Sequence, residues 1–240
     1  MSISSDLFFD KWKKQQTAVE QMIPLIGLLY REHGVTISFY GRRLLNHSAI
    51  DIIKAHRFAI QMIGDELEVS KSLELIQAMI NMNLAPAQVD LGKLCYGFMQ
   101  EGGNPEAYLK KPLASINTGK SSLLKEPQDV VLYGFGRIGR LLARMLIERA
   151  GSGNKMRLRA IVVRGGNKGD LKKRASLLRR DSVHGAFSAS ITVDEEENAI
   201  IADGVYIKVI YANSPAEVDY TKYDINNALV VDNTGLWRDM

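Results

Sequence analysis

The sequence contains a single cysteine, Cys95, so no disulfide bond can form within the chain. One cysteine among 240 residues fits a reducing compartment. The first residues carry no basic segment followed by an apolar core, so no signal peptide is predicted. No apolar run approaches the roughly 18 residues that are needed to span a bilayer. These absences predict a cytoplasmic protein without a membrane partner.

Strong charge and repetition are also missing. The net charge is only +4, and the basic residues are spread along the chain without interleaved aromatic residues, so a nucleic-acid partner is not indicated. There is no internal repeat and no low-complexity tract. Hydrophobic residues make up 46% of the chain, which is enough for a core, and the length accommodates one large domain or two small ones.

Apolar residues at helical spacing extend over the first hundred residues and predict a series of helices. Pro24 is expected to kink or restart the first of them. Residues 35–40 alternate between apolar and polar side chains and predict a short strand. Ser48 has the side chain and the position of a helix N-cap. Two further helices are expected, one over residues 70–82 and one after Pro86.

A connection without clear periodicity follows over residues 112–128, and we predict that it is a linker. Within it, residues 119–121 read Gly-Lys-Ser, as in a phosphate-binding loop. That motif requires a glycine where this chain has Ala114, and it requires a preceding apolar strand, so we reject it. The predicted organisation is a helical N-terminal extension over residues 1–111, the linker, and a nucleotide-binding domain over residues 129–240.

The most informative stretch covers residues 130–140, where an apolar run enters Gly-x-Gly-x-x-Gly and then a helical pattern. A buried strand, a tight turn and a helix in this order are typical of a dinucleotide-binding unit. Gly134 is expected to make the turn, Gly136 to let a pyrophosphate approach the backbone, and Gly139 to allow close packing of helix on strand. The first N–H groups of the helix would face the phosphates. The alternative is a purely structural turn.

Further strands and helices alternate after this motif and predict a mostly parallel sheet. Ligands bind off the carboxyl ends of the strands in such sheets, where Gly134, Arg164 and Thr234 fall. The expected strands are residues 158–163, 191–193, 205–210 and 228–232, with a helix over residues 170–178 and an acidic turn over residues 194–198.

Three blocks of sequence resemble the amino-terminal half of glyceraldehyde-3-phosphate dehydrogenase. They are Tyr133–Arg140, Arg180–Phe187 and Asp232–Trp237, and they occur in the family's order and near its spacing. The resemblance covers residues 129–240, whereas residues 1–127 resemble the helical extension of a longer bacterial branch. It implies an α/β fold, in which a helical N-terminal extension precedes an incomplete Rossmann-type, mostly parallel sheet.

The resemblance also implies phosphorylating oxidation of an aldehyde, in which a cysteine thiolate attacks the carbonyl and a histidine acts as base. In the family both residues follow the third block, and this sequence stops at Met240 before either. We therefore expect an amino-terminal part of a homo-oligomeric enzyme that oxidises glyceraldehyde 3-phosphate to 1,3-bisphosphoglycerate. The chain alone is expected to be inactive.

No catalytic or metal-binding residue is assigned within the chain. Cys95 lies on a predicted apolar helix face, where a buried thiol is inert. His184 belongs to the second block, and a structural role in its turn is favoured. The remaining histidines, His33, His47 and His56, lack a setting that suggests metal binding or catalysis, and they are expected on helix surfaces or at caps.

The cofactor-binding residues are carried over from the resemblance. Thr234 and Gly235 are assigned to the ribose and nicotinamide side, and Asn213 is assigned to the neighbourhood of the adenine. The pyrophosphate turn is assigned to Gly134, Phe135, Gly136, Arg137, Ile138 and Gly139.

Arg164 departs from the pattern of members that prefer NAD, which have an aspartate at the end of this strand to bind the adenosine ribose. A guanidinium there can pair with the 2′-phosphate of NADP, so we predict NADP or NAD as cofactor with NADP favoured. In the alternative, Arg164 points to solvent or pairs with Asp170.

Two other functional readings remain open. In one, the chain is a non-enzymatic assembly or regulatory module with a vestigial nucleotide site. In the other, the chain binds nucleic acid through its small excess of basic residues. Because all three glycines of the motif are present, cofactor binding is favoured over a vestigial site, and nucleic-acid binding is weakest because it depends on charge alone. The outer edge of the strand at residues 228–232 is expected to be unpaired, which predicts weak cofactor binding and self-association.

Overall fold

A computed structural model describes residues 5–119, 126–150, 156–183 and 185–236. The chain divides into two compact units, Met1–Leu123 and Leu124–Met240. Lys120 and Ser121 of the rejected phosphate-loop motif, His184 and Trp237 lie outside the described residues.

The first unit is mainly helical and contains a small sheet. Its elements are α1 (Ser5–His33), β1 (Thr36–Phe39), β2 (Arg42–Arg43), α2 (Ala49–Ile63), α3 (Val69–Ile80), β3 (Gln88–Asp90), α4 (Leu91–Glu101) and α5 (Pro105–Leu109). In the described part of this unit, β1 lies between β2, with which it pairs antiparallel, and β3, with which it pairs parallel.

Helix α1 is continuous through Pro24, so the prediction that the helix restarts there is wrong. Proline removes one backbone N–H, which would bond the carbonyl of Glu20 one turn earlier. Both residues are exposed, so that carbonyl lies on the side of the helix that faces water. The opposite side is buried through Val19, Met22, Ile26 and Leu29, and their burial keeps the helix intact.

Local signals set the ends of the other helices in this unit. Ser48 accepts a hydrogen bond from the backbone N–H of Asp51 at 3.2 Å and caps α2, as predicted. Gly64 ends the same helix in the left-handed conformation, with φ at 78°. Asp90 caps α4 by accepting from Lys93, and the same carboxylate accepts from the backbone N–H of Tyr40 at 3.0 Å.

The second unit is an α/β structure. Its elements are β4 (Gln128–Tyr133), α6 (Arg137–Glu148), β5 (Met156–Val163), α7 (Asp170–Arg179), β6 (Arg180–Asp181), β7 (Gly185–Ala186), β8 (Ile191–Asp194), β9 (Ala199–Ala202), β10 (Val205–Tyr211) and β11 (Leu229–Asp232). Two short 3₁₀ segments, Pro215–Glu217 and Tyr220–Tyr223, lie between β10 and β11.

The main sheet of this unit has the strand order β11-β4-β5-β10-β9-β8 in the described residues. The four strands from β11 to β10 are parallel, and β9 and β8 continue the sheet antiparallel. The predicted fold class, an α/β fold with a mostly parallel Rossmann-type sheet after a helical extension, is confirmed.

Strand β9 was not predicted. The acidic turn at residues 194–198 does not lead directly into β10, because Ala199–Ala202 first returns along β8. A two-residue turn, Asp203–Gly204, then joins β9 to β10, and both of its residues have positive φ. Asp-Gly between two apolar runs is a recognised hairpin signal, so the sequence does contain the evidence for this strand.

Both faces of the parallel strands are covered. Val130 and Leu132 of β4 belong to the core on the side of α6 and α7. Val131 and Tyr133 point to the opposite face, where Ile225 and Tyr220 of the second 3₁₀ segment belong to a smaller core. No helix among the described residues is long and apolar enough to cross a membrane.

Candidate functional site

The turn after β4 requires glycine at its first position. Gly134 has a φ of 95°, which side chains disfavour, and its N–H donates to the carbonyl of Val162 at 2.8 Å. A Cβ at Gly134 would lie 2.9 Å from Cγ2 of Thr234 and 3.3 Å from the carbonyl carbon of Asn233. The turn is therefore held tightly between the ends of β5 and β11.

Gly139 brings helix α6 against the same turn. A Cβ at this position would lie 2.5 Å from the carbonyl oxygen of Gly134, closer than real Cβ atoms approach. The residue is buried, and no other amino acid could occupy it without moving the helix away. This agrees with the close packing that the sequence pattern predicts for the third glycine.

Gly136 faces open space. It is the N-cap of α6, has an ordinary φ of −73°, and a Cβ there would meet no atom within 4 Å. The cap residue has no side chain to accept from the helix, and the first turn contains no acidic residue. The first N–H groups of α6 therefore lack a local acidic partner, at the positive end of the helix dipole.

A cleft of about 330 Å³ opens beside this turn. It lies where β4, β5 and β11 end, which is the edge of the sheet where ligands of such folds bind. Its lining residues are Tyr133, Gly134, Phe135, Gly136, Val162, Val163, Arg164, Arg174, Asn233 and Thr234.

Five of the predicted cofactor residues line this cleft, and five do not. Those that line it are Gly134, Phe135, Gly136, Arg164 and Thr234. Arg137, Ile138 and Gly139 form the first turn of α6 directly after the lining, and Gly235 follows Thr234.

The loop after β11 is fixed to the glycine turn. Asp232 accepts from the hydroxyl of Thr234 at 2.7 Å and from its backbone N–H at 2.8 Å. The N–H of Asn233 donates to the carbonyl of Tyr133 at 2.7 Å. Gly235 has a φ of 67°, so the chain turns away directly after Thr234. These bonds hold Thr234 in the wall of the cleft.

Asn213 lies apart from the cleft lining. It follows β10, and its backbone N–H donates to the carboxylate of Glu217 at 3.0 Å. The N–H of Ala212 donates to the carbonyl of Val163, which holds this segment beside the end of β5. A separate depression of about 240 Å³ is lined by residues 166–172 with Glu195, Asn198 and Tyr211.

Arg164 is exposed at the end of β5 and makes no ion pair with a described residue. The alternative partner Asp170 is already occupied, since it accepts from the guanidinium of Arg174 and from the hydroxyl of Tyr211 at 3.1 Å. Arg174 lines the cleft together with Arg164, but it is not among the predicted cofactor residues. The only indication of its position in the sequence is that it follows Asp170 by four residues, a spacing that brings two side chains together on a helix.

Tyr133 was also missed. Its side chain is 3% exposed, and its hydroxyl has no hydrogen-bond partner among the described residues. Burial raises the pKa of this hydroxyl, and the nearby charge of Arg164 opposes that rise. The group is therefore a neutral donor at the wall of the cleft.

The block Arg180–Phe187 is attached to α6 by two arginines. Arg140 binds the carboxylate of Asp181 at 2.6 Å and donates to the carbonyl of Phe135 at 3.4 Å, so it joins this block to the glycine turn. Arg144 donates to the carbonyls of Leu178 and Gly185 at 3.0 and 3.1 Å. The conformation of the second sequence block is thus coupled to the start of the helix.

Cys95 is fully buried in the first unit, as predicted for an inert thiol. Burial raises the pKa of the thiol, which disfavours the reactive thiolate. No group of three or more histidine, cysteine or carboxylate side chains among the described residues could hold a metal ion.

The prediction that His56 lies at a helix surface or cap is wrong. Its ring is 3% exposed and stacks on Phe39, with ring centroids 4.1 Å apart. The two ring nitrogens lie 2.9 Å from the carbonyl of Ile52 and 2.9 Å from the hydroxyl of Ser72. Burial lowers the pKa of His56 to about 4, so the ring is neutral near pH 7.

Comparison with known proteins identifies a related domain in the part of the chain that contains the glycine turn and the cleft. The family pattern described as "Glyceraldehyde 3-phosphate dehydrogenase, NAD binding domain" matches residues 128–240. A glyceraldehyde-3-phosphate dehydrogenase-like protein of Pseudomonas aeruginosa (strain UCBPP-PA14) is 55% identical over 222 residues, which cover 91% of this chain and 48% of that protein. This similarity therefore includes the helical first unit.

Two further similarities are shorter. The glyceraldehyde-3-phosphate dehydrogenases of Thermotoga maritima and Zymomonas mobilis are 36% and 33% identical over 110 residues each. Each match covers 46% of this chain and 30% of the relative. The chain thus spans about half the length of the Pseudomonas protein and less than a third of the other two.

Proposed function

Over residues 128–240 the chain belongs to the glyceraldehyde-3-phosphate dehydrogenase family, and we propose that the cleft beside its glycine turn binds a nicotinamide adenine dinucleotide. The diphosphate lies against the first N–H groups of α6, at Arg137, Ile138 and Gly139. Thr234 and Gly235 serve the ribose on the nicotinamide side. Arg164 serves the adenosine side, and Asn213 contributes near the adenine.

One observation carries this proposal: the open space in front of Gly136 at a helix start without a local acidic partner. Unpaired N–H groups together with the positive end of a helix dipole form an anion site. The cleft of about 330 Å³ continues from that point across the ends of three parallel strands. A dinucleotide needs this combination of an anion site and an extended cleft at the edge of the sheet.

When bound, the cofactor supplies hydride exchange at its nicotinamide ring, and the residues of this chain bind and orient it. We propose that the whole protein is an NAD(P)-dependent, phosphorylating dehydrogenase of glyceraldehyde 3-phosphate that forms homo-oligomers. The names of the relatives support this substrate. Because Cys95 is buried with a raised pKa, we propose that these 240 residues alone do not oxidise the aldehyde.

Binding is tested with the variant Gly136→Val. The backbone at this position suits any residue and the added side chain meets nothing, so the fold should be retained. The new methyl groups would occupy the space of the diphosphate. We expect calorimetric titration to show that affinity for NAD and NADP falls at least about 10-fold, while the thermal midpoint is unchanged.

The control for this test is Ala186→Val, which adds apolar bulk at an exposed position of the same unit. It should leave nucleotide affinity unaltered. If the parent chain binds neither nucleotide although it is folded, the proposal is refuted and a non-enzymatic module with a vestigial site is favoured instead.

We further propose that NADP is preferred, because Arg164 lines the cleft and makes no ion pair with a described residue, whereas Arg174, which also lines it, is paired with Asp170. The 2′-phosphate of NADP is an anion that guanidinium groups bind well, whereas the ribose diol of NAD needs an acceptor. Arg164→Asp should reverse the ratio of the two dissociation constants toward NAD. An unchanged ratio would show that Arg164 does not select the cofactor.

The matched control is Arg137→Asp, at an exposed arginine of the same unit near the diphosphate. This change places a negative charge at the helix start and should weaken both nucleotides alike. If Arg164→Asp changes the ratio of the two dissociation constants and Arg137→Asp does not, Arg164 recognises the 2′-phosphate.

A further inference from the structure

Tyr133 is the last residue of β4 and stands at the edge of the sheet where the cleft opens. It lies between Val162 of β5 and Asp232 of β11, with which it is paired in register. Gly134 follows directly, so the tyrosine is next to the turn that receives the diphosphate. Unlike the glycines, it belongs to no recognised nucleotide motif.

The hydroxyl of Tyr133 is enclosed but has no hydrogen-bond partner among the described residues. A buried hydroxyl without a partner is unfavourable, and most such groups in folded proteins are paired with protein or with an ordered molecule. The residue also lines the cleft. The hydroxyl is therefore an unused donor in a residue that contributes to the wall of the cleft.

The charges near this hydroxyl indicate which half of the ligand it meets. Arg164, Glu217 and Asp232 all act electrostatically on it. Arg164 lines the cleft on the side proposed for the adenosine, whereas Glu217 and Asp232 do not line it. The charged neighbour that belongs to the cleft therefore indicates the adenosine half.

We propose that the Tyr133 hydroxyl donates a hydrogen bond to an oxygen of the adenosine half of the bound dinucleotide, as a binding residue that the glycine motif does not include. This inference rests on the proposed function. It assigns to Tyr133 a role in ligand affinity rather than in folding. The bound nucleotide supplies the acceptor that the protein itself does not.

The chain offers a matched control in Tyr220. Its hydroxyl is also buried without a partner among the described residues, and it lies near Tyr133 on the same face of the sheet. Burial raises the pKa of both hydroxyls. Tyr220, however, does not line the cleft. The two tyrosines therefore share their chemistry and surroundings, and they differ in access to the ligand.

The experiment compares the parent chain with Tyr133→Phe and Tyr220→Phe. Dissociation constants of NADH and NADPH are measured by fluorescence and that of ADP-ribose by calorimetry, and thermal midpoints are recorded without nucleotide. We expect Tyr133→Phe to weaken all three ligands by about 3- to 10-fold, the effect of one neutral hydrogen bond. Tyr220→Phe should remain within about twofold of the parent.

The thermal midpoints separate binding from folding. Each substitution removes a buried hydroxyl without a protein partner, so neither should lower the midpoint. Affinities of Tyr133→Phe equal to the parent would overturn the proposal, as would a loss of folding in this variant. A loss for NADH and NADPH without a loss for ADP-ribose would overturn the assignment to the adenosine half.

Failure of the proposed function gives a different result. If the parent chain binds none of the three ligands, nucleotide binding itself is refuted and the role of Tyr133 falls with it. If the parent binds and Tyr133→Phe binds equally well, only the role of Tyr133 is refuted.

Discussion

Single side chains in both units occupy positions where burial changes their chemistry. His56 is enclosed by Phe39, by the carbonyl of Ile52 and by the hydroxyl of Ser72, and its two ring nitrogens meet both polar groups. The neutral ring fits this environment, whereas a charged ring would have to be desolvated. The ring therefore stabilises the first unit only while it is unprotonated.

This burial predicts a pH dependence of stability. The pKa of His56 is about 4 in the folded chain and near 6.5 when unfolded, so between these values the unfolded state binds more protons. Its contribution to the free energy of unfolding is complete above pH 6.5 and is lost as the pH falls toward 4. The loss amounts to about 3 kcal/mol.

Urea denaturation of the first unit at several pH values between 4 and 7 measures this loss. The variant His56→Gln should remove most of the slope, whatever its effect on stability at pH 7. His47→Gln changes an exposed histidine and should keep the slope. Parallel curves for His56→Gln and the parent chain would contradict the assignment.

Helix α6 shows how one element serves both packing and the site. Its start packs closely against the glycine turn at Gly139, and its arginines bind Asp181 and Gly185 of the block Arg180–Phe187. Arg140 in particular contacts both the carboxylate of Asp181 and the carbonyl of Phe135. The orientation of the first N–H groups of α6 therefore depends on contacts made along its length.

Replacement of glycine by alanine inside a helix normally stabilises it by about 1 kcal/mol. At Gly139 we expect the opposite sign, because the added Cβ would lie 2.5 Å from a backbone oxygen that cannot rotate away. Gly139→Ala should lower the free energy of unfolding by about 1 to 3 kcal/mol, as measured by urea denaturation.

Gly136→Ala provides the comparison, since its Cβ would meet nothing and stability should change little. If Gly139→Ala were as stable as the parent, the close approach of α6 to the turn would be refuted.

At the scale of the whole molecule, the second unit presents an open sheet edge. β11 is the terminal strand of the described sheet, and Leu229 and Val230 are 47% and 41% exposed. An apolar edge strand with free backbone groups pairs readily with other chains. The structure therefore gives a location, the outer edge of β11, for the self-association that the sequence predicts, and the self-association itself stays a prediction.

We expect this 240-residue chain to associate with increasing concentration in analytical ultracentrifugation. Val230→Lys should reduce the association, because a charged side chain on an edge strand disfavours pairing with another strand. Val183→Lys introduces the same charge at an exposed position away from the edge and should have little effect. A parent chain that stays monomeric at all concentrations would contradict the prediction.

Patterns within short segments were sufficient for much of this protein. The strand, glycine turn and helix of residues 130–140 follow from local rules, since glycine conformation and apolar periodicity act between near neighbours. The cap at Ser48 is of the same kind. The Asp-Gly turn before β10 shows that a local signal can also be present and overlooked.

Other features depend on residues that are distant in the sequence and were decided only by the tertiary structure. Asp170 is bound by Tyr211 as well as by its helix neighbour Arg174, because β10 lies beside β5 in the sheet and brings Tyr211 to the start of α7. His56 is enclosed by Phe39 of β1 and by Ser72 of α3, which contact its ring. The enclosure of Tyr133 has the same origin, since Ile225 and Tyr220 pack on its face of the sheet from a later part of the chain.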